Sequence, residues 1–184
     1  MKTAVKFSKI SFERFKIDWI DTFYKDTFYT LPDTRKVNVL NNIKLIYDRI
    51  KLPERSTSRS AGYDFFAPSY FDLPFNSSVK IPTGIKAEID SGYFVAMYPR
   101  SSYGFKYGIE LSNTVGIIDE DYYNNSNNEG HIFCKLVNKD ESVGKDLRIE
   151  PEDRFCQGIV IPYAISYDDN ATGERTGGIG STGN

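Results

Sequence analysis

Two short stretches of the chain concentrate groups able to act on a phosphorylated substrate. Pro99-Arg100-Ser101-Ser102-Tyr103-Gly104-Phe105-Lys106 follows a predicted strand and joins a guanidinium, two hydroxyls and a glycine within a few positions. A guanidinium grips phosphate oxygens bidentately, and hydroxyls and turn amides can complete the cradle. A surface turn with an incidental arginine has the same composition. Asn113-Thr114-Val115-Gly116-Ile117-Ile118-Asp119-Glu120-Asp121-Tyr122 clusters carboxylates and an aromatic ring beside a hairpin. A carboxylate held near a water molecule can act as general base, and a tyrosine can pack on a sugar or base face. A solvated acidic turn would read the same way.

The tail, Gly177 to Gly183, contains a G-x-G-x-x-G spacing at Gly178, Gly180 and Gly183. A dinucleotide-binding loop must open a helix whose N-terminus holds pyrophosphate, and only Asn184 follows Gly183. It is not a P-loop either, because Ile179 follows Gly178 where that motif needs lysine. What remains is an arm expected to be mobile, dense in backbone N–H groups and preceded by Arg175, able to close over a polyphosphate or simply to stay disordered.

These groups need a scaffold. Phe12, Phe15, Trp19 and Phe23 recur at helical offsets, which predicts one amphipathic helix ending before Pro32. Its stripe either packs on the body of the same chain or docks a partner. From Ile43 onward the pattern turns to short strands: Val79 to Ile89, interrupted by Pro82-Thr83-Gly84, then Phe94 to Tyr98, Ile132 to Val137 and Phe155 to Ile161. Strands so short and closely spaced predict an all-β sandwich, barrel or jelly roll. The run Asn124 to Gly130 is strongly turn-forming and is expected to be an exposed hairpin tip. The domain plan is a helical extension over residues 1–40, a β domain over 41–172 and a glycine-rich arm over 173–184.

Composition limits the options further. With 184 residues, one principal core is expected. The 23 basic side chains nearly balance the 25 acidic ones, so no global basic field favours polymeric nucleic acid, and a phosphate-bearing partner must be met locally. Cys134 and Cys156 lie in apolar runs and read as buried reduced thiols, while a single histidine, His131, speaks against an ordinary zinc site. The N-terminal stretch lacks a signal-peptide core and no segment is long and apolar enough to span a bilayer, which points to the cytoplasm.

The order of the pieces is more specific than any one of them. Ser60-Ala61-Gly62-Tyr63-Asp64, Pro99-Arg100-Ser101-Ser102, Gly116-Ile117-Ile118-Asp119-Glu120-Asp121-Tyr122, Asp153-Arg154-Phe155-Cys156-Gln157 and Gly177 to Gly183 together resemble the five ordered motifs of the trimeric dUTPase family. The resemblance spans roughly residues 43 to 183. More loosely, the aromatic N-terminal helix and the Asn-rich insertion resemble those of a bacterial and bacteriophage branch.

The resemblance implies a jelly-roll (β-clip-like) subunit and a homotrimer whose active sites lie at subunit junctions. It also implies hydrolysis of dUTP to dUMP and pyrophosphate, which limits uracil in DNA and supplies dUMP for dTMP synthesis. By the same resemblance Asp119 is the general base that deprotonates the water attacking the α-phosphorus. Tyr122 packs against deoxyribose and leaves no room for a 2′-hydroxyl. Asn113 and the backbone of Gly116, Ile117 and Ile118 read uracil. Arg100, Ser101, Ser102, Gln157, Arg175, Gly180 and Ser181 contact phosphates, and Asp64 meets the water shell of Mg²⁺.

Ile179 stands where many members carry an aromatic residue that stacks on uracil, an interaction worth about 1–3 kcal/mol per base; aliphatic cover remains. The spacing from Arg175 to Gly177 is one residue shorter than the commonest pattern.

Two other readings compete. The dCTP deaminases share the fold but need a glutamate five residues beyond the third-motif glycine, where counting from Gly130 gives Lys135. A nucleotide-responsive binding protein would use the N-terminal helix or the 124–128 loop as a partner surface, either instead of hydrolysis or in addition to it.

Overall fold

The computed structural model describes residues 3–173, 175 and 177. Over these residues the protein is mostly β, with three α-helices. In chain order the elements are β1 (Val5–Lys9), α1 (Phe12–Phe23), α2 (Asp33–Arg49), β2 (Gly62–Phe66), β3 (Phe71–Leu73), β4 (Ser77–Pro82), β5 (Ile85–Ile89), β6 (Tyr93–Pro99), α3 (Ser101–Tyr107), β7 (Ile109–Leu111), β8 (Gly116–Ile118), β9 (Phe133–Asn138), β10 (Leu147–Ile149) and β11 (Arg154–Pro162). Strands run at each place where alternating or β-branched runs predict them.

The strands form a four-stranded sheet ordered β2-β11-β6-β8, a three-stranded sheet β4-β9-β7, and the pairs β1-β5 and β10-β3, all with antiparallel pairing. One buried apolar cluster runs through all of them. Phe65, Ile81, Met97, Leu136 and Phe155 contribute from the sheets, and Phe15, Trp19, Ile43 and Ile46 from the helices. Val, Ile and Phe on alternate positions of these strands place one face inward, and that burial is what holds the short strands in register.

The N-terminal segment differs from the single helix read from its periodicity. Val5 to Lys9 form a strand that pairs antiparallel with Ile85 to Ile89. Helix α1 begins only at Phe12, with the Ser11 side chain accepting from the Arg14 amide as N-cap. A second helix, α2, then starts behind Pro32 and runs past the expected boundary at residue 40 to Arg49, with Asp33 in its first turn and Arg49 in its last, both favourable to the helix dipole. The aromatic period is a property of α1 alone, because an alternating strand of five residues is too short to stand out beside it.

Phe15 and Trp19 are buried, and Trp19 and Phe23 pack against Phe71 of β3. The stripe is therefore mostly covered by its own chain, the first of the two alternatives, with Phe23 left 38% exposed at its end. No described helix is long and apolar enough to cross a membrane.

The Asn-rich run is only in part the exposed tip expected of it: Asn124, Ser126 and Asn127 are exposed. Asn125 and Asn128 are buried, and the Asn125 carboxamide donates to the Tyr122 carbonyl and to Asn128 Oδ1, each at 2.8 Å, while its oxygen accepts from the amides of Asn127 and Asn128. Gly130 closes this loop with φ +79°, and a Cβ there would lie 2.6 Å from the Tyr122 carbonyl oxygen, so both its backbone angle and the space require glycine. Asparagine favours turns because its side chain satisfies nearby backbone groups; here the same property folds the loop inward. Nothing in the fold supports a partner on the residues of 124–128 that remain exposed, Asn124, Ser126 and Asn127.

Candidate active site

Strand β8 forms the edge of the four-stranded sheet, with Ile118 opposite Val95, Ile117 opposite Ala96 and Gly116 opposite Met97 of β6. Directly after it the chain turns outward at Asp119 into a 3₁₀ turn, Glu120–Tyr122. A cleft of about 250 Å³ opens between this edge and β9, lined by Asn113, Gly116, Ile117, Ile118, Asp119, Tyr122 and Arg175. That is slightly below the range of about 300–1,000 Å³ that encloses a drug-sized ligand.

Asn113, Gly116, Ile117, Ile118, Asp119 and Tyr122, singled out in the sequence, are thus brought to one cleft. Arg175 joins them: its Nη2 donates to Asp119 Oδ2 at 2.5 Å, its Nε to Asp121 Oδ1 at 2.8 Å, and its guanidinium carbon lies 5.7 Å from the Tyr122 ring centre. Sequence reasoning missed the apolar wall made by Met97, Leu111, Phe133 and Cys134. Nothing in the sequence separates these four from ordinary core residues.

Tyr122 is only 4% exposed. Its hydroxyl donates to the His131 carbonyl and accepts from Asn128 Nδ2, each at 2.8 Å, and burial raises its pKa, so the ring is a neutral, fixed wall.

A second cluster sits at the other end of β6. Tyr98, Gln157 of β11 and Asp64 of β2 lie directly opposite one another in register, so their side chains share a face. Asp64, 3% exposed, accepts from Arg100 Nη1 at 2.5 Å and from Ser56 Oγ at 2.7 Å; Arg154 Nη1 reaches the same carboxylate at 3.4 Å and Ser56 at 2.9 Å. Arg100 precedes α3 and its buried Nε has no acceptor among the described residues. Ser101 and Ser102 open α3 and are exposed beside it.

Asp64, Arg100, Ser101, Ser102 and Gln157 therefore gather as a cradle with a spare donor. Arg154 and Ser56 were not singled out. Arg154 lies inside a quoted motif, and Ser56 carries no sequence signal. Ile179, Gly180 and Ser181 fall outside the described residues.

The two clusters do not meet within one chain. Asp119 continues β8 to the level of Phe94, and Arg100 follows Pro99, so six residues of extended strand, roughly 20 Å, separate them. A general base must come within about 3 Å of the proton it takes. One subunit cannot bring its own Asp119 and its own Arg100 to the same phosphorus.

A mostly β chain with a small carboxylate-rimmed cleft and a separate guanidinium cradle has the groups that a nucleotide-phosphate enzyme needs. The particular family follows from similarity. A dUTPase family model matches residues 48–183. The chain is 43% identical over 136 residues to the deoxyuridine 5′-triphosphate nucleotidohydrolase of Lactococcus lactis, covering 73% of this chain and 89% of that protein. It is 32% identical over 152 residues to the corresponding protein of Chromobacterium violaceum, covering 77% and 95%.

Among solved structures, the dUTPase of Streptococcus mutans superposes with a TM-score of 0.57 at 37% identity over 65% of this chain and 90% of that one. A mutant dUTPase of phage phi11 of S. aureus, described with a coordinated structural Mg(II) ion, shares the fold at 19% identity with a TM-score of 0.56, over 67% of this chain and 91% of that one. The chain belongs to the dUTPase family.

Proposed function

We propose that this chain is a dUTP diphosphatase: a Mg²⁺-assisted homotrimer of jelly-roll subunits that hydrolyses dUTP to dUMP and pyrophosphate in the cytoplasm. The observation that carries the reading is Asp119 in a cleft whose walls include Asn113, β8 and the fixed Tyr122 ring. Such a cleft takes a pyrimidine and a sugar and leaves the first phosphate beside a carboxylate.

In this reading Asp119 orients a water and takes its proton as the water attacks the α-phosphorus; the electron pair of the cleaved bond leaves with pyrophosphate. Asn113 and the amides and carbonyls from Gly116 to Ile118 read uracil, and Met97 and Phe133 press the base from the apolar side. Tyr122 excludes a 2′-hydroxyl by position, so rejection of ribonucleotides is steric. Arg100, Ser101, Ser102 and Gln157 of another subunit hold the phosphate chain, and Arg175 with Gly180, Ser181 and Ile179 of the C-terminal arm closes over it. The separation of Asp119 from Arg100 within one chain supports sites shared between subunits, and closed cyclic symmetry then repeats the site equivalently.

The Arg100 nitrogen that still lacks an acceptor fits a phosphate oxygen, and Asp64 is the carboxylate beside it that could face a divalent ion carried on those phosphates. Asp64 would hold the ion's water shell, as Mg²⁺ keeps several waters. When bound, Mg²⁺ supplies charge neutralisation of the triphosphate.

Replacing Asp119 by asparagine tests the role of the base. The carboxamide cannot take the proton, so turnover falls by about 10²–10⁴ while a nonhydrolysable dUTP analogue still binds. Turnover that survives would place the base elsewhere.

A further inference from the structure

Helix α1 lies outside the residues matched to the dUTPase family, yet it is tied at three points to the loop that carries Tyr122. Ser11 gives its amide and hydroxyl to the Glu129 carboxylate, at 2.9 and 2.5 Å. Arg14 Nη1 donates to the Asn127 carbonyl at 3.1 Å and the same guanidinium pairs with Asp18. Asp18 Oδ2 lies 2.6 Å from Nδ1 of His131, which is fully buried.

The histidine is locked at both ring nitrogens. Nε2 accepts from the Gly84 amide at 2.8 Å, so Nδ1 carries the hydrogen and donates to Asp18. Its ring packs between Phe15 of α1 and Phe133, at centroid distances of 6.2 and 4.2 Å, and Phe133 is a wall of the base cleft. Its carbonyl is the group that accepts the Tyr122 hydroxyl, and Asn128 fills the remaining position on that oxygen.

We propose that Asp18, acting through His131, is a positioning residue for sugar discrimination: α1 fixes the Tyr122 ring at the distance from the sugar that admits deoxyribose and refuses ribose. This rests on the reading of Tyr122 as the sugar wall. A steric filter against one hydroxyl works only if the wall is held to about half an ångström, and a phenol pinned through both its donor and its acceptor positions meets that demand. An Asp18–His131 contact that served only the fold would change stability and leave the preference for dUTP over UTP where it was.

The test measures kcat/KM for dUTP and for UTP on full-length protein with Mg²⁺. Asp18→Ala is expected to lower the dUTP-to-UTP ratio about tenfold, because a freed ring tolerates the extra hydroxyl. Asp18→Asn, whose carboxamide oxygen still accepts from Nδ1, is expected to keep most of the ratio. Tyr122→Phe should lower it as Asp18→Ala does, and Asp18→Ala added to Tyr122→Phe should change it less than about twofold further, since coupled residues are not additive. If Asp18→Ala does not fold, the partly exposed Glu129→Gln weakens the parallel Ser11–Glu129 tie by which α1 holds the same loop, with an expected loss of about threefold.

A collapsed ratio in Tyr122→Ala beside an unchanged one in folded Asp18→Ala, or in Glu129→Gln if that is the variant that folds, would overturn this inference and leave the sugar wall standing. An unchanged ratio in Tyr122→Ala would overturn both.

Discussion

Arg175 Nη2 lies 2.5 Å from Asp119 Oδ2, so the guanidinium proposed to read the phosphate chain rests on the carboxylate proposed to activate water. The contact is half-sheltered, with Asp121 as its second acceptor and the Tyr122 ring beneath. A triphosphate brings more negative charge than the two carboxylates and offers the same fork-shaped acceptors. Binding of dUTP would draw Arg175 away and free Asp119 for its proton.

Arg175→Gln is therefore expected to lower kcat/KM for dUTP by about 10- to 100-fold, the worth of hydrogen bonds to a charged group. Steady-state kinetics checks it. An unchanged or raised value would mean that Arg175 only covers the base.

The roughly 20 Å between Asp119 and Arg100 along β6 makes a second expectation. Asp119→Asn and Arg100→Ala should each be inactive alone. Co-expressed in equal amounts, they should regain about a quarter of wild-type activity, because a site drawing the base from one chain and the cradle from another is intact when each chain supplies its unmutated half. No recovery would mean that both groups serve a site within one chain.

His131 links pH to stability. Burial, its dominant influence, lowers its pKa although Asp18 pulls the other way. The unfolded chain then binds a proton on this imidazole at pH values where the folded chain does not. Stability should fall as pH drops through the ordinary histidine range near 6.5 and continue to fall to the lowered folded value, with a slope of at most about 1.4 kcal/mol per unit. His131 is the sole histidine, so His131→Gln should flatten the slope of thermal midpoint against pH between about 7 and 5. Glu129 acts lower: its partial burial raises its pKa, but hydrogen bonds from Ser11 together with the Lys86 and Arg14 charges bring it below the ordinary value, so its contribution is lost only as pH falls beneath the usual carboxylate range. An equal slope in the variant would contradict the assignment.

The sequence made the strands legible because β6, β9 and β11 carry runs of β-branched and aromatic residues that no other element competes for. The candidate site residues stand out for a different reason: Arg100, Asp119 and Tyr122 lie in ordered motifs. Strand β1 was hidden, since Val5 to Lys9 acquires its strand character from pairing with Ile85 to Ile89, a contact 80 residues away. The inward fold of Asn125 and Asn128 was hidden by the same residue property that predicts exposed turns. Residues recruited through space, such as Ser56 on Asp64 or Phe133 on the base cleft, leave no local mark.

In the proposed reaction the cleft between β8 and β9 selects uracil and deoxyribose, and Asp119 at its rim drives hydrolysis. Pyrophosphate release with Mg²⁺ from dUTP, dTTP, dCTP and UTP at equal concentration tests it most directly. Release from dUTP should exceed each of the others by about a hundredfold or more, as expected of a site that discriminates by exclusion and hydrogen bonding together. Comparable release from all four would contradict it.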